Sequence, residues 1–262
     1  AEIHQPYPVD EVTNPPHTQQ MGLIIGTRRA AIIDTGLGLA DLRKYVEQFT
    51  DLPVIALSTH GHLDHVGANQ LFDMAYVGKE DEQTMLSSNR AGRLRGYSGF
   101  MEGNTAMIEA ATRTMVDDKP FKYGFVKDGD KIDLGGIEIE VIGFPGHTPG
   151  SYGFIFTVKE GGVTHTAGLF GGTALITKDF TDERMKQYLG SLDKWAAETK
   201  KRNVDVEVQN HPTMDGLVEK LAKLKDRKAG QPNPFVVGSE SYQRFLTTMS
   251  DCIKVRVARG KE

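Results

Sequence analysis

Sulfur is scarce in this chain: its 262 residues include one cysteine, Cys252. A lone cysteine excludes an internal disulfide and any metal site built on several thiolates. No apolar run approaches the roughly 18 residues of a membrane-spanning helix, so no membrane partner is expected. Positive charge is lacking too. The net charge is −4, whereas nucleic-acid binders present a strongly basic face, so nucleic acid is not an expected partner either. An initiating methionine is also missing. The chain opens on Ala1, which fits a mature end left by signal-peptide removal. A periplasmic or secreted location is the expectation, with the cytoplasm as the alternative.

What remains is an ordinary globular composition, 39% apolar and 25% charged, ample for one large core. The spacing predicts a strand hairpin through Leu23–Ile25 and Ala31–Ile33, then a helix over Leu39–Phe49 carrying Leu42, Val46 and Phe49 on one face. Strands follow at Val54–Leu57 and Ala75–Val77, with a helix or turn from Asn69 between them. In the second half, Ile137–Ile142 alternates as a half-buried strand, and Tyr152–Val158 pairs with Val163–Thr166 through Glu160-Gly161-Gly162. A helix carries Met185, Leu189, Leu192 and Ala196, a strand covers Val204–Val208, and Leu217, Leu221 and Leu224 form a further helical stripe. A last amphipathic helix holds Tyr242, Phe245, Leu246, Met249 and Ile253, with Cys252 read as a packed thiol beside that stripe.

This order of strands and helices suggests two sheets packed face to face between helical layers. The chain reads as a single domain over 1–262 with a lid insertion at about 85–120. That stretch is rich in Gly, Arg, Asn and Met, and only Thr105–Met115 within it reads as helical. Long irregular segments in compact domains usually serve function or are disordered.

The chemistry concentrates in Thr59-His60-Gly61-His62-Leu63-Asp64-His65. Three imidazoles and a carboxylate follow directly on the strand Val54–Leu57, so their side chains can converge in a turn instead of alternating. Neutral imidazole and carboxylate are zinc ligands, and at least three are needed to hold an ion. With only eight histidines in the chain, such clustering has little other use. Two more histidines follow strands: His147 within Gly143-Phe144-Pro145-Gly146-His147-Thr148-Pro149-Gly150, and His211 within Asn210-His211-Pro212. Three separate strand ends therefore deliver His or Asp to one edge of the fold, and two metal ions are expected. His4, His17 and His165 read as solvated or packed side chains. Asp34, after the second strand, is placed to cap a following helix.

His60-x-His62-x-Asp64-His65, followed by Gly146-His147-Thr148-Pro149-Gly150-Ser151, a late His211 and Asp34-Thr35-Gly36, resembles the metallo-β-lactamase superfamily from about residue 20 to about residue 215. The resemblance implies an α/β fold, a four-layer αβ/βα sandwich of two mixed β-sheets flanked by helices. It implies two zinc ions per chain, the first on His60, His62 and His147 and the second on Asp64, His65 and His211, with Asp34 supporting the ligand loop. Relatives with other activities carry a bridging aspartate in a later Gly-Asp segment. Here that stretch reads Gly168-Leu169-Phe170-Gly171-Gly172, which favours the third, cysteine-free subclass of the lactamases.

The implied activity is that of a di-zinc hydrolase of small molecules, in which a metal-bound hydroxide opens a cyclic amide, with antibiotic resistance as its consequence. His62 and Asp64 would be the catalytic residues, and Tyr97, Phe100, Phe144 and Ser151 the candidates for contacting substrate. Relatives in that subclass commonly place serines near Gly168 and Phe170 to hold the drug carboxylate, and this chain does not. The alternatives are hydrolysis of a lactone, thioester or other ester on the same fold, or an iron-dependent oxidoreductase.

Overall fold

Every residue of the short runs Ala30–Ile33 and Val54–Leu57 is buried, with no polar alternation. Strands of that kind need cover on both faces, and the fold supplies it. The computed structural model describes residues 19–101, 104–173, 181–212 and 214–259. The expected hairpin forms as β1 (Gly22–Ile25) and β2 (Ala30–Ile33), antiparallel with Leu23 opposite Ile32. Parallel to β2 run β3 (Val54–Leu57), β4 (Met74–Gly78) and β5 (Tyr123–Val126), in that order across the first sheet. The second sheet has the order β10 (Val206–Gln209), β9 (Val163–Phe170), β8 (Tyr152–Glu160), β7 (Glu138–Gly143) and β6 (Lys131–Asp133). There only β10 and β9 are parallel. Both sheets are mixed.

Side-chain alternation sorts the core into layers. Ala31, Ile33, Ile55 and Leu57 point inward from the first sheet onto Val141, Phe154, Phe156 and Leu169 of the second. Their neighbours Ala30, Ile32, Val54 and Ala56 point outward onto Leu42 and Val46 of the short helix α1 (Leu42–Val46). On the far side, Met185, Tyr188, Leu192 and Trp195 of α6 (Asp182–Lys201) join Tyr242, Leu246 and Ile253 of α8 (Ser239–Ala258) over Ile142 and Ile155. The result is the four-layer sandwich expected from sequence. Among the described residues no helix is long and apolar enough to cross a membrane.

Some local expectations are corrected. Helix α1 starts only at Leu42, where Asp41 accepts from the backbone of Lys44, so the predicted helix at Leu39–Phe49 is shorter than its apolar stripe. Cys252 is exposed on α8; it falls beside the buried stripe, on its solvent side. The largest difference lies in the stretch read as an irregular insertion. It folds as α3 (Glu82–Ser87) and α4 (Arg90–Phe100), followed by α5 (Thr105–Thr114) where a helix was expected. Helix α4 tolerates three glycines because Asn89 caps it through the Gly92 backbone and Gly96 makes room for Leu63 of α2 (Leu63–Val66). His4 and His17 lie outside the described residues.

Candidate metal centre

Five strands of the sandwich end on one edge: β2 leads to Asp34, β3 to His60, β4 to Asp81, β7 to His147 and β10 to His211. Ligands of α/β sheets bind at such carboxyl ends, where successive loops converge. Here the loops bring two trios together. His60, His62 and His147 offer ligand atoms all within 4.8 Å of one another, and so do Asp64, His65 and His211. In the first trio, His147 Nε2 lies 3.1 Å from His60 Nε2 and 3.2 Å from His62 Nδ1. The trios adjoin through His60 and His65, whose ring centroids are 4.0 Å apart. His60, His65 and His147 are buried, while His62, Asp64 and His211 are only partly covered. Solvent therefore reaches the centre from the side of the latter three.

The hydrogen bonds around the centre assign its protons. Asp34 accepts from the Thr59 backbone at 2.7 Å, from Thr59 Oγ1 at 2.8 Å and from His65 Nδ1 at 2.8 Å. Thr59 has spent its only hydroxyl proton on Asp34, so its oxygen accepts at the 3.0 Å contact with His60 Nδ1. His60 thus carries its proton on Nδ1 and turns a bare Nε2 toward the centre, and His65 commits its Nδ1 proton to Asp34. Asn210 Nδ2 also donates to Thr59 Oγ1, at 3.4 Å. Gln19 Nε2 donates to Asp64 Oδ2 at 2.9 Å, and Arg184 of α6 grips the carbonyls of Gly146 and His147.

Electrostatics follow from burial and neighbours. Burial holds His60 well below the ordinary imidazole value, and the surrounding histidines add to the effect. Burial also lowers His62, against the pull of Asp64. Burial would lower His65 too, but the carboxylates of Asp64 and Asp34 outweigh it and push it up to about 10. For Asp64 burial works upward, yet His65, His211 and His62 hold it well below the usual carboxylate range. The centre therefore keeps His60 neutral while favouring positive charge between Asp64 and His65.

These residues fit a metal ion. The Nε2 atom of His65 is buried and makes no well-formed hydrogen bond among the described residues, with Asp64 Oδ2 3.4 Å away. His147 Nε2 lies close to both His60 Nε2 and His62 Nδ1, and one imidazole proton can serve only one of these contacts, whereas a shared cation reconciles all three nitrogens. Five imidazoles and one carboxylate, without sulfur, suit a divalent transition-metal ion.

The candidates for contacting substrate fare differently. Phe144 is completely buried against Phe170, Tyr188 and Trp195, so it belongs to the layer beneath the centre and cannot line a cleft. Ser151 is 1% exposed, its hydroxyl engaged with the Thr148 backbone and side chain; it too is unavailable to substrate. Tyr97 and Phe100 pack with Leu37 and Leu63, so they support the ligand helix from behind. His165 sits at the far end of β9, paired with Asp205 at 2.6 Å. Thr59, Asp81, Asn210, Arg184 and Gln19 were not found by sequence reasoning. Asn210 directly follows β10 and Asp81 lies three residues beyond β4, and that was the one signal available for them.

Comparison with known proteins agrees with this geometry. The family model for the metallo-beta-lactamase superfamily matches residues 14–196. The human acyl-coenzyme A thioesterase MBLAC2 is 28% identical over 152 residues, covering 49% of this chain and 50% of that protein. The hydroxyacylglutathione hydrolase GloC of Haemophilus influenzae is 30% identical over 137 residues, 51% of this chain and 58% of that one. The chain thus spans about half the length of the curated relatives it matches. Among solved structures, BJP-1 of Bradyrhizobium japonicum, a subclass B3 metallo-beta-lactamase, superposes with a TM-score of 0.65 at 21% identity, covering 92% of this chain and 88% of that one. FEZ-1 of Legionella gormanii, a metallo-beta-lactamase, gives 0.66 at 19% identity, covering 92% and 89%. With most of the sandwich inside the matched range and both His/Asp trios assembled at its edge, the chain belongs to the metallo-beta-lactamase superfamily.

Proposed function

We propose that this chain is a di-zinc hydrolase that cleaves an acyl bond of a small molecule, with a cyclic amide as the first substrate class. The observation carrying this reading is the pair of trios, each with its ligand atoms within 4.8 Å, side by side at the partly open edge. His60, His62 and His147 would hold the first ion, and Asp64, His65 and His211 the second. When bound, such ions polarise a carbonyl and lower the pKa of a water to about 7.

The chain's own residues do the rest. Thr59 and Asp34 keep the Nε2 atoms of His60 and His65 free to ligate. Asp64 lies at the partly exposed side, where a carboxylate held ionised can accept a hydrogen bond from an attacking water and orient it. Gln19 occupies one position on Asp64 Oδ2 and so limits how that carboxylate turns. His62 is likewise only partly covered, so it borders the same accessible side. No separate histidine base is required.

A second reading, a thioester or lactone substrate, is favoured by two observations. The chain lacks serines at Gly168 and Phe170, and both positions face the α6–α8 core, Phe170 fully buried. The two named relatives are a thioesterase and a hydroxyacylglutathione hydrolase. Fold alone does not choose between these substrates.

The test is a metal analysis followed by hydrolysis assays on nitrocefin, a carbapenem, an acyl-lactone and an acyl-coenzyme A. Two zinc ions per chain and turnover lost in His62→Ala and Asp64→Ala are expected. Lactam opening faster than thioester cleavage supports the first substrate class, and the reverse order the second. Iron in place of zinc, or full activity of metal-stripped His62→Ala, refutes the proposal.

A further inference from the structure

Asp81 follows β4, is 1% exposed, and meets no cationic side chain in an ion pair among the described residues. Its carboxylate instead collects three donors from the two loops that carry the first trio. Oδ2 accepts from the Gly61 backbone at 2.8 Å and from Thr148 Oγ1 at 2.6 Å, and Oδ1 accepts from the Gly150 backbone at 2.9 Å. Gly61 lies between His60 and His62; Thr148 adjoins His147. One buried side chain therefore ties the loop after β3, in the first sheet, to the loop after β7, in the second.

The same contact explains two glycines in the ligand motifs. A Cβ on Gly61 would come within 2.8 Å of the Asp81 carbonyl oxygen, and a Cβ on Gly150 within 2.8 Å of its carboxyl carbon. Both approaches are closer than real side chains allow, so neither loop accepts a larger residue while Asp81 stays in place. The protons also have a definite order. Ser151 Oγ accepts from the Thr148 backbone and donates to Thr148 Oγ1, which donates to Asp81. Ser151 thus completes this chain.

We propose that Asp81 is a positioning residue for the first cation site, setting the spacing of the two loops so that His60, His62 and His147 meet at one point. This rests on the metal reading above. The second trio hangs on other groups: Asp34 on His65, Gln19 on Asp64. The role is accordingly selective for one site. The first trio has no anionic ligand of its own, and Asp81 brings a buried carboxylate to the loops that carry it.

The experiment titrates the full chain with zinc(II) alone against a chromophoric chelator, in two backgrounds. His211→Ala leaves only the first trio complete and His147→Ala only the second. Asp81→Asn preserves size but sets an amide NH2 against a backbone donor. It should weaken zinc about 10- to 100-fold in the first background and less than about threefold in the second. Thr148→Val, which removes one donor and leaves Asp81 intact, should act in the same direction, and Thr148→Ser should restore binding. If Asp81→Asn does not fold, the Thr148 pair decides alone. Equal losses in both backgrounds, or none in either, overturn the proposal. Absence of zinc binding in the parent chain and both backgrounds would instead sink the metal reading beneath it.

Discussion

His65 donates its Nδ1 proton to Asp34 Oδ2 at 2.8 Å, and neither side chain is more than 1% exposed. Asp34 holds this position from a left-handed backbone, φ +59, which Asn tolerates and Ala resists. Three donors converge on it, two on Oδ2 and one on Oδ1. An amide cannot serve all of them. Asp34→Asn should therefore cost about 1–3 kcal/mol of folding stability and weaken the second zinc about 10- to 100-fold. Asp34→Ala should cost about 1–2 kcal/mol more, from the backbone. Urea denaturation of the metal-stripped protein, with zinc titration alongside, measures both.

Asp215 provides a pH signature separate from the metal centre's own. Its side chain is fully buried, and burial pushes it up to about 6, against the pull of Lys220 3.8 Å away. The folded form then holds its proton more tightly than the unfolded chain, whose carboxyl titrates near 4. Stability from this group is present below about pH 4 and is lost as pH rises to about 6. Asp215→Asn removes that loss. The buried Oε1 of Gln20, which lacks a partner among the described residues, gives the new amide an acceptor. The variant should gain about 1–3 kcal/mol at pH 8 and nothing at pH 4. Urea midpoints at the two pH values test it, and an equal shift at both would contradict the assignment.

How much of this was legible in the sequence depends on range. The two clusters of candidate ligands were legible because four of the six lie in one turn after an apolar strand and the others follow strands of similar kind. The layers were legible because runs such as Val54–Leu57 allow no solvent face. Asp81 and Thr59 were not. Their importance comes from hydrogen bonds between loops of different sheets, and nothing in the composition around them marks it. Phe144 and Ser151 misled for the complementary reason: a residue beside a ligand in sequence can point into the core. Helix α4 was missed because its glycines suppress the helical pattern, while the contacts that stabilise it come from Arg93 and Leu63.

Arg93 is the test of that last point. Its guanidinium is fully buried and donates to the carbonyls of Leu37, Gly67 and Val116 and to Asp118. It thereby pins α4 to the end of α2 and to the chain after α5. A lysine ammonium is a compact point charge and cannot span those directions. Arg93→Lys should cost about 2–4 kcal/mol, near the range for breaking a buried charge network. Amide exchange in α4 and α5 should rise well before exchange in the sheets. Uniform exchange across the chain would argue against a local anchor.

Gly153 of β8 tests the opposite layer, with the only tryptophan of the chain as reporter. A Cβ there would lie 2.4 Å from Cζ3 of Trp195 and 2.7 Å from its Cη2. Trp195 has nowhere to retreat. It is completely buried, packs on Phe144 and Phe170, and donates its indole proton to the Tyr242 hydroxyl at 2.9 Å. Gly153→Ala must therefore move α6 and, through Tyr242, α8. Overpacking of this kind costs about 1–3 kcal/mol. The fluorescence of Trp195 should shift to the red as its packing loosens, and the urea midpoint should fall. Zinc stoichiometry should stay unchanged, because all six candidate ligands sit on loops and the short helix α2 at the sheet edge and not on the α6–α8 layer. A loss of zinc in this variant would mean that Arg184, which grips the His147 loop from α6, transmits the displacement to the first trio.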